Sequence, residues 1–232
     1  MERREKIKIV FLGESNVGKT NIINCFCGRD FITEAISTIS CNYFIKEFKI
    51  DNKYYTLDLW DTPGQEKFRS ITNLFMKGTG IFIMVYDITN RYSFQELEYW
   101  NNKIKEMIGN NCVIGLIGNK QDLYLEEKIS KEEGLEFAKS NSFSFTLLSA
   151  KESIKSLDYF IEDLVKRYLE LRPERESIHL RDEEEERKRK AKRKTCCQNE
   201  IYYPFMERFK GRVFPWYLPI WEFRNKKKNA LI

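Results

Sequence analysis

Two kinds of hydrophobic pattern alternate along the chain: continuous apolar runs, and longer stretches in which apolar residues recur every three or four positions. The first pattern is typical of strands buried on both faces, and the second is typical of helices that pack by one face. Continuous apolar runs cover residues 6–12, 81–86 and 112–117. Strands are also predicted at 41–50, 53–60 and 143–148, and in the second of these apolar residues alternate with polar ones, as in an edge strand. Helical patterns cover residues 18–27, 66–77, 92–108, 130–140 and 153–171.

This order of elements predicts an α/β fold of three layers. Strands that alternate with helices form a mostly parallel sheet with helices on both faces. Asp51 and Asn52, between the second and third strands, are a hairpin turn signal, so one edge strand should be antiparallel. We therefore predict a six-stranded, mostly parallel sheet with one antiparallel edge strand and about five helices. Ligands of such folds bind beyond the carboxyl ends of the strands.

The first polar motif follows the first strand, where residues 13–20 read Gly-Glu-Ser-Asn-Val-Gly-Lys-Thr. A strand, a glycine-bounded loop and a helix in this order are the context in which this spacing indicates phosphate binding. Backbone N–H groups of the loop can face phosphate oxygens, Lys19 can pair with the β- and γ-phosphates, and Thr20 can ligate Mg²⁺. The alternative is a plain glycine-rich turn.

A second motif follows the third strand. Asp61 can hold Mg²⁺ directly or through water, the N–H of Gly64 can meet a γ-phosphate, and Gln65 can orient a water molecule in line with that phosphate. On its own this motif is also compatible with a plain turn. Thr38 can join Mg²⁺ only when the γ-phosphate draws its loop inward. The loops around Thr38 and Gln65 would then be order–disorder switches that partners recognise.

The motifs after the last two strands indicate that the nucleotide base is guanine. Asp122 can accept hydrogen bonds from N1–H and the exocyclic amine of guanine, a donor pair that adenine lacks. Asn119 can tie this loop to the phosphate loop, and the stem of Lys120 can cover the base. Backbone N–H groups of residues 149–151 can donate to the guanine O6, and Phe31 can pack against the base edge. The alternative for residues 118–122 is a plain turn before a charged loop, and the alternative for Phe31 is a core aromatic residue at a helix end.

Charge separates a globular part of the chain from a basic tail. The net charge is +5, yet residues 1–172 have a balance of −1 and residues 173–232 a balance of +6. This distribution argues against a nucleic-acid-binding core and indicates a tail that meets an acidic surface. The chain has no apolar run of 18 residues, no signal-peptide pattern and no disulfide or metal spacing among its six cysteines. We therefore expect a cytoplasmic protein with reduced thiols.

Together these motifs resemble the Ras superfamily of small GTPases and, within it, the Rab family. The resemblance covers about residues 6–172 and rests on residues 13–20, 60–66, 68–72, 118–123 and 149–151. It implies a three-layer P-loop NTPase fold of the small-GTPase type. It also implies a Mg²⁺-dependent GTP/GDP switch that slowly hydrolyses GTP and recruits effectors in vesicle-mediated membrane traffic, peripherally bound to the cytoplasmic face of endomembranes.

The resemblance further implies partners and site residues. The partners are an exchange factor, a GTPase-activating protein, a GDP-dissociation inhibitor and effectors, with no nucleic acid. The catalytic residues are Lys19, Thr38, Gly64 and Gln65, and the Mg²⁺ ligands are Thr20, Thr38 and Asp61. The GTP-binding residues are Gly13, Glu14, Ser15, Asn16, Val17, Gly18, Lys19, Thr20, Asn21, Phe31, Thr38, Asp61, Gly64, Asn119, Lys120, Asp122, Leu123, Ser149, Ala150 and Lys151.

Several residues depart from the usual Rab pattern. Pro63 stands where Rab proteins usually carry alanine, and since proline fixes φ and lacks an N–H, this loop should be stiffer. Ser40 and Asn42 replace a glycine and an aspartate of the first switch, and Ala35 replaces a tyrosine that often closes over the γ-phosphate. Two alternatives stay open: a binding module that holds nucleotide without turning it over, and an ATPase or nucleotide kinase, which the guanine motif disfavours.

We expect the chain to divide into a GTP-binding domain at residues 1–172, a charged hypervariable linker at 173–197 and a disordered aromatic, basic extension at 198–232. Cys196 and Cys197 resemble the prenylated end of Rab proteins, and two lipids beside a basic patch would anchor the protein on a membrane. Because 35 residues follow them, we expect prenylation that reads a terminal cysteine pair to fail. The extension could lie on a membrane interface, bind a partner or, as we favour, be a read-through addition to the functional chain.

Overall fold

A six-stranded sheet forms the middle layer of the fold. The computed structural model describes residues 5–33, 37–38, 40–109, 111–152 and 156–171. The strands are β1 (Glu5–Leu12), β2 (Asn42–Ile50), β3 (Lys53–Asp61), β4 (Ile81–Asp87), β5 (Val113–Asn119) and β6 (Ser144–Leu147). They lie in the order β2-β3-β1-β4-β5-β6, and each neighbouring pair is parallel except β2 and β3. The predicted sheet, with its single antiparallel edge strand, is confirmed.

Helices pack on both faces of this sheet. They are α1 (Lys19–Phe26), α2 (Arg69–Met76), α3 (Arg91–Gln95), α4 (Leu97–Ile108), α5 (Lys131–Ser140) and α6 (156–171), with short 3₁₀ helices at Glu66–Phe68 and Gln121–Glu126. The helix predicted at 92–108 is present as α3 and α4, which only Glu96 separates. Asn90 and Ser130 cap α3 and α5, because their side-chain oxygens accept hydrogen bonds from backbone N–H groups of the first turn.

The apolar side chains of the central strands point alternately to two cores. In β1, Ile7, Ile9 and Phe11 pack on one side, together with α1 and α6. Val10 and Leu12 pack on the other side, together with α4 and α5. Both cores need apolar residues, so β1 has a continuous apolar run rather than an alternating one. The three-layer α/β architecture is confirmed.

The hairpin between β2 and β3 turns at the predicted residues. Asp51 and Asn52 have φ of 44° and 68°, and the pair Ile50 and Lys53 closes the ladder. A two-residue turn with both φ values positive matches the right-handed twist of the flanking strands. The other strands run parallel, so the carboxyl ends of β1, β3, β5 and β6 meet at one edge of the sheet. All of the predicted polar motifs follow these strand ends.

The predictions for the tail concern residues that lie outside the described part of the chain. They include the linker at 173–197, the cysteine pair Cys196 and Cys197, and the extension at 198–232. The replacement of a tyrosine by Ala35 in the first switch also lies outside it. Among the helices that the structure describes, none combines the length and the apolar character needed to span a membrane.

Candidate nucleotide-binding site

The loop between β1 and α1 folds tightly because two of its positions accept only glycine. Gly13 has φ of 141°, and a Cβ there would lie 2.2 Å from the carbonyl oxygen of Val85. Gly18 has φ of 95°, and a Cβ there would lie 2.3 Å from Nδ2 of Asn119. Positive φ and absent space together exclude any larger side chain without strain. The loop therefore adopts a closed turn at the N-terminus of α1.

Lys19 lies buried under this loop, with 5% of its surface exposed. Its Nζ donates hydrogen bonds to the carbonyl oxygens of Gly13 at 2.8 Å and Glu14 at 2.7 Å. Burial lowers the pKa of Lys19 to about 8, although the carboxylates of Asp61 and Glu14 act in the opposite direction. A buried ammonium group that has only carbonyl partners is poised to gain from an anion.

Three oxygen-bearing side chains meet beside this lysine. The hydroxyl of Thr20 donates to Oδ2 of Asp61 at 2.7 Å and lies 3.0 Å from the hydroxyl of Thr38. Asp61 is fully buried, and within the described part of the chain its Oδ1 has no hydrogen-bond partner. Burial raises the pKa of Asp61, against the hydrogen bond from Thr20 and the charge of Lys19. Two hydroxyls and an incompletely satisfied carboxylate are a donor set that fits Mg²⁺.

Asn119, at the end of β5, connects the two ends of the site. Its Nδ2 donates to the carbonyl oxygen of Val17 at 2.8 Å, and its Oδ1 accepts from the backbone N–H of Ala150 at 3.2 Å. The tie to the phosphate loop expected from the sequence is therefore present. Asp122 lies nearby, and its Oδ1 accepts a hydrogen bond from the Ser149 hydroxyl at 2.7 Å. That hydroxyl in turn accepts from the backbone N–H of Lys151 at 3.2 Å.

Lys120 has a partner that the sequence did not indicate. Its Nζ lies 2.5 Å from Oδ2 of Asp87, a buried carboxylate at the end of β4. Oδ1 of Asp87 accepts from both the backbone N–H and the hydroxyl of Thr89 at 2.8 Å. Lys120 itself has φ of 67°, in the left-handed region. The ion pair thus holds a strained turn in place. No local motif connects Asp87 with Lys120, since Asp87 ends β4 and Lys120 directly follows the neighbouring strand β5.

These groups surround one cavity of about 400 Å³, within the range of ligand pockets. Most predicted binding residues line it: Ser15, Asn16, Gly18, Lys19, Thr20, Asn21, Phe31, Thr38, Gly64, Asn119, Lys120, Asp122, Leu123, Ser149, Ala150 and Lys151. Gly13, Glu14, Val17, Asp61 and Gln65 were also predicted but are not part of the lining. Ile32, Thr33 and Ser37 line it although they were not predicted. Their position next to Phe31 and Thr38 in the chain was the available signal.

An arginine ties the start of α2 to the loop between β1 and α1. Arg69, at the start of α2, donates from Nη2 to Glu14 at 2.7 Å and to Glu96 at 2.5 Å. Its guanidinium also lies 4.1 Å from the centre of the Tyr99 ring. Since Glu14 belongs to the phosphate loop, Arg69 couples that loop to α2 and α4. Gln65, four residues before this arginine, is half-buried.

Three aromatic rings form a cluster on the surface of β2, β3 and α2. The ring of Trp60 lies 4.9 Å from that of Tyr43 and 5.0 Å from that of Phe75, centre to centre. The Tyr43 hydroxyl donates to Asp58 at 2.7 Å, and this bond raises the pKa of Tyr43 to about 12. Leu74, which precedes Phe75 in α2, is 76% exposed. This aromatic cluster (Tyr43, Trp60, Phe75) joins β2, which follows the first predicted switch loop at 31–40, to α2, which lies within the second at 62–77.

The fold and the site together define the class of the protein. A buried lysine and a threonine at a glycine-bounded turn, which opens a helix after a parallel strand, are the signature of P-loop nucleotide-binding proteins. The carboxylate of Asp61 at the end of a second strand completes the usual Mg²⁺ environment of that class.

Comparisons with known proteins give the family. The family model for the Ras family matches residues 8–170. The chain is 39% identical over 146 residues to Ras-related protein Rab-11C of Dictyostelium discoideum. The aligned region covers 63% of this chain and 65% of the relative. It is 35% identical over 161 residues to RABA1b of Arabidopsis thaliana (69% and 74%) and 40% identical over 153 residues to RabQ of Dictyostelium discoideum (65% and 75%). The chain thus spans just under two thirds of the first relative and about three quarters of the other two.

The chain belongs to the Ras family, and its relatives place it among the Rab-type small GTPases. The sequence-based predictions of the family and the fold are therefore confirmed. Membership implies in general that GTP and GDP are bound with Mg²⁺. It also implies the kinds of regulator that Rab proteins have, namely exchange factors, activating proteins, a GDP-dissociation inhibitor and effectors.

Proposed function

We propose that this protein is a Mg²⁺-dependent switch that binds GTP, hydrolyses it slowly and acts in vesicle-mediated membrane traffic. The observation that carries the proposal is the distribution of charge in one cavity. A buried ammonium group lies at the phosphate end, at Lys19, and a carboxylate lies at the base end, at Asp122. A guanine nucleotide has an anionic end and an end with two N–H donors, which complements both groups.

The base end gives the sharpest test. We expect the protein to bind GTP at least about 10⁴-fold more tightly than ATP, because a site built for two donors rejects a base that lacks them. Asp122→Asn presents a carboxamide, whose N–H matches the C2 oxygen of xanthine and whose oxygen still accepts from N1–H. This variant should therefore lose affinity for GTP and gain affinity for XTP.

The measurement is displacement of fluorescent GDP by GTP, ATP or XTP. Asp163→Asn is the matched control, because Asp163 is an exposed α6 residue that accepts from Ser144 and does not line the cavity. This control should bind as the wild type does. A preference for GTP that survives Asp122→Asn would overturn the proposed role of Asp122, and a wild type that does not discriminate between GTP and ATP would overturn the function.

At the phosphate end, Thr20, Thr38 and Asp61 would hold Mg²⁺, which supplies positive charge against the phosphates. Lys19 would pair with the β- and γ-phosphates, Gly64 would donate its N–H to the γ-phosphate, and Gln65 would orient the attacking water. We expect an unassisted rate of about 10⁻⁴ s⁻¹, raised about 10⁵-fold by an activating protein. Gln65→Leu should keep nucleotide binding and abolish the stimulated rate.

A second candidate function is a binding module that holds GTP without turning it over. It is favoured by Pro63, which is buried in the loop between Asp61 and Gly64, and by the position of Gln65 outside the cavity lining. A single-turnover hydrolysis assay separates the two. A measurable rate that Gln65→Leu removes supports the switch, whereas retention of intact GTP over many hours supports the binding module.

The proposed partners and location follow from the family and from the surface. The aromatic cluster and the exposed Leu74 would be read by effectors, since large exposed apolar groups mark interaction sites. We propose a peripheral position on the cytoplasmic faces of endomembranes. No described residue tests lipidation of Cys196 and Cys197, which the 35 residues that follow them disfavour, and mass spectrometry of the native C-terminus decides it.

A further inference from the structure

The side chain of Asn21 pairs with the backbone of Ile32, eleven positions further along the chain. Its Nδ2 donates to the carbonyl oxygen of Ile32 at 2.9 Å, and its Oδ1 accepts from the N–H of Ile32 at 3.0 Å. Only 8% of Asn21 is exposed. A carboxamide that engages the N–H and the C=O of one residue reproduces the pairing of two opposed strand residues. Two such bonds fix both the position and the orientation of that backbone.

The pair connects the two ends of the cavity. Asn21 directly follows Thr20 in the first turn of α1, where the phosphate end of the cavity lies. Ile32 directly follows Phe31, which is 36% exposed and lines the cavity with Ile32. Since the backbone of Ile32 is fixed by Asn21, the direction of the preceding Phe31 side chain is restricted as well. Both hydrogen-bonding atoms of the carboxamide serve this tie.

We propose that Asn21 is a positioning residue for nucleotide retention: it holds the Phe31 segment over the cavity and thereby slows nucleotide dissociation. The inference rests on the proposed function and goes beyond it, because it assigns the effect of the Asn21 side chain to Phe31 rather than to a contact with the nucleotide. A ligand can leave only when the segments that cover it open, so a restrained segment lowers the dissociation rate.

A double-mutant cycle on Asn21 and Phe31 tests this assignment. The dissociation rate of fluorescent GDP is measured in excess unlabelled GDP for the wild type, Asn21→Ala, Phe31→Ala and the double variant. We expect Asn21→Ala to speed dissociation about tenfold, equivalent to about 1.4 kcal/mol. Because Asn21 acts through Phe31, the double variant should dissociate no more than about twofold faster than Phe31→Ala alone. Asn21→Ser, which is too short to make both bonds, should resemble Asn21→Ala and serves as the second variant if the alanine protein does not fold.

Asn24 supplies the matched control. It lies one turn further along α1 and is 6% exposed, but it does not line the cavity. Asn24→Ala should change the GDP dissociation rate by less than about twofold, both in the wild-type background and in the Phe31→Ala background. The thermal unfolding of Asn24→Ala is compared with that of Asn21→Ala. If both variants are destabilised alike, a faster GDP dissociation in Asn21→Ala alone does not come from weakening α1.

Amide hydrogen exchange provides a readout that needs no nucleotide. In nucleotide-free protein, a peptide containing residues 31–33 should exchange faster in Asn21→Ala than in the wild type, and Asn24→Ala should not change it. The inference is overturned if Asn21→Ala dissociates GDP as the wild type does, or if its effect is undiminished in the Phe31→Ala background. A wild type that binds GDP no better than ADP would instead overturn the proposed function, while the exchange measurement would still test the tie between Asn21 and Ile32.

Discussion

Replacing Asn119 by alanine should separate the two ends of the site. The side chain is 2% exposed and makes hydrogen bonds to the carbonyl oxygen of Val17 and the N–H of Ala150. Both partners lie in buried residues, so removing the carboxamide leaves two backbone groups unsatisfied. Each such group costs about 1–3 kcal/mol, which sums to about 2–6 kcal/mol shared between folding and nucleotide binding.

Part of this cost should appear as weaker nucleotide binding. In the wild type, Asn119 holds the loops in place before the nucleotide binds, so a variant without it must order them at the expense of affinity. Even about 2 kcal/mol corresponds to about a 30-fold change in an equilibrium constant. The assay combines titration with fluorescent GDP and urea unfolding of the nucleotide-free protein. Asn119→Asp keeps an acceptor for Ala150 but places an oxygen against the Val17 carbonyl, so it should lose affinity as well.

Asn101 is the control for this experiment. It lies on α4, is 4% exposed and does not line the cavity. Its Nδ2 donates a hydrogen bond to Oδ1 of Asn141 at 2.8 Å. Asn101→Ala should lower the free energy of unfolding but leave GDP affinity unchanged. The reasoning is refuted if Asn119→Ala matches the wild type within about threefold in affinity and unfolds at the same urea concentration.

Three further predictions concern proton uptake, the base loop and the turnover rate. Lys19 has a pKa of about 8, so at pH 8.5 about one-quarter of the free protein has this lysine protonated. A bound phosphate raises that pKa, and nucleotide binding therefore takes up about 0.8 proton at pH 8.5 but only about 0.1 proton at pH 7. Affinity therefore falls as pH rises through 8, and calorimetry in buffers of different ionisation enthalpy measures the uptake. Asp87→Ala removes the ion-pair partner of Lys120 and should weaken GDP binding about tenfold. An unchanged GDP affinity in titrations would refute a role of this ion pair in holding the base loop. Pro63→Ala restores an N–H beside Gly64 and should speed single-turnover hydrolysis severalfold; an equal rate would show that the proline does not limit it.

Short-range patterns made most of the fold predictable. The phosphate loop is a contiguous motif, and its position between an apolar run and a helical pattern specifies its conformation through Gly13 and Gly18. The hairpin at Asp51 and Asn52 likewise depends on two adjacent residues. Such features need no knowledge of distant parts of the chain, because their geometry is imposed by local sterics.

The contacts that the sequence did not reveal join residues far apart in the chain. The Asp87–Lys120 pair and the Glu14–Arg69–Glu96 group depend on which strands are neighbours and on how α2 packs. No periodicity or motif encodes such pairings, since any acidic residue at a strand end would look the same. The contact between Ser37 and Ser15 was missed for a related reason. The Ser37 hydroxyl lies 3.2 Å from that of Ser15, a proximity that only the folded loop creates.

The aromatic cluster gives the protein an optical reporter of its own. Of the two tryptophans in the described part of the chain, Trp100 is fully buried, whereas Trp60 is half-buried between two rings carried by different segments. Indole emission changes with the polarity and the quenching groups around it. We therefore expect a movement that separates Tyr43 from Phe75 to change the emission of Trp60 above the background of the other three tryptophans, so the unlabelled chain would report that movement.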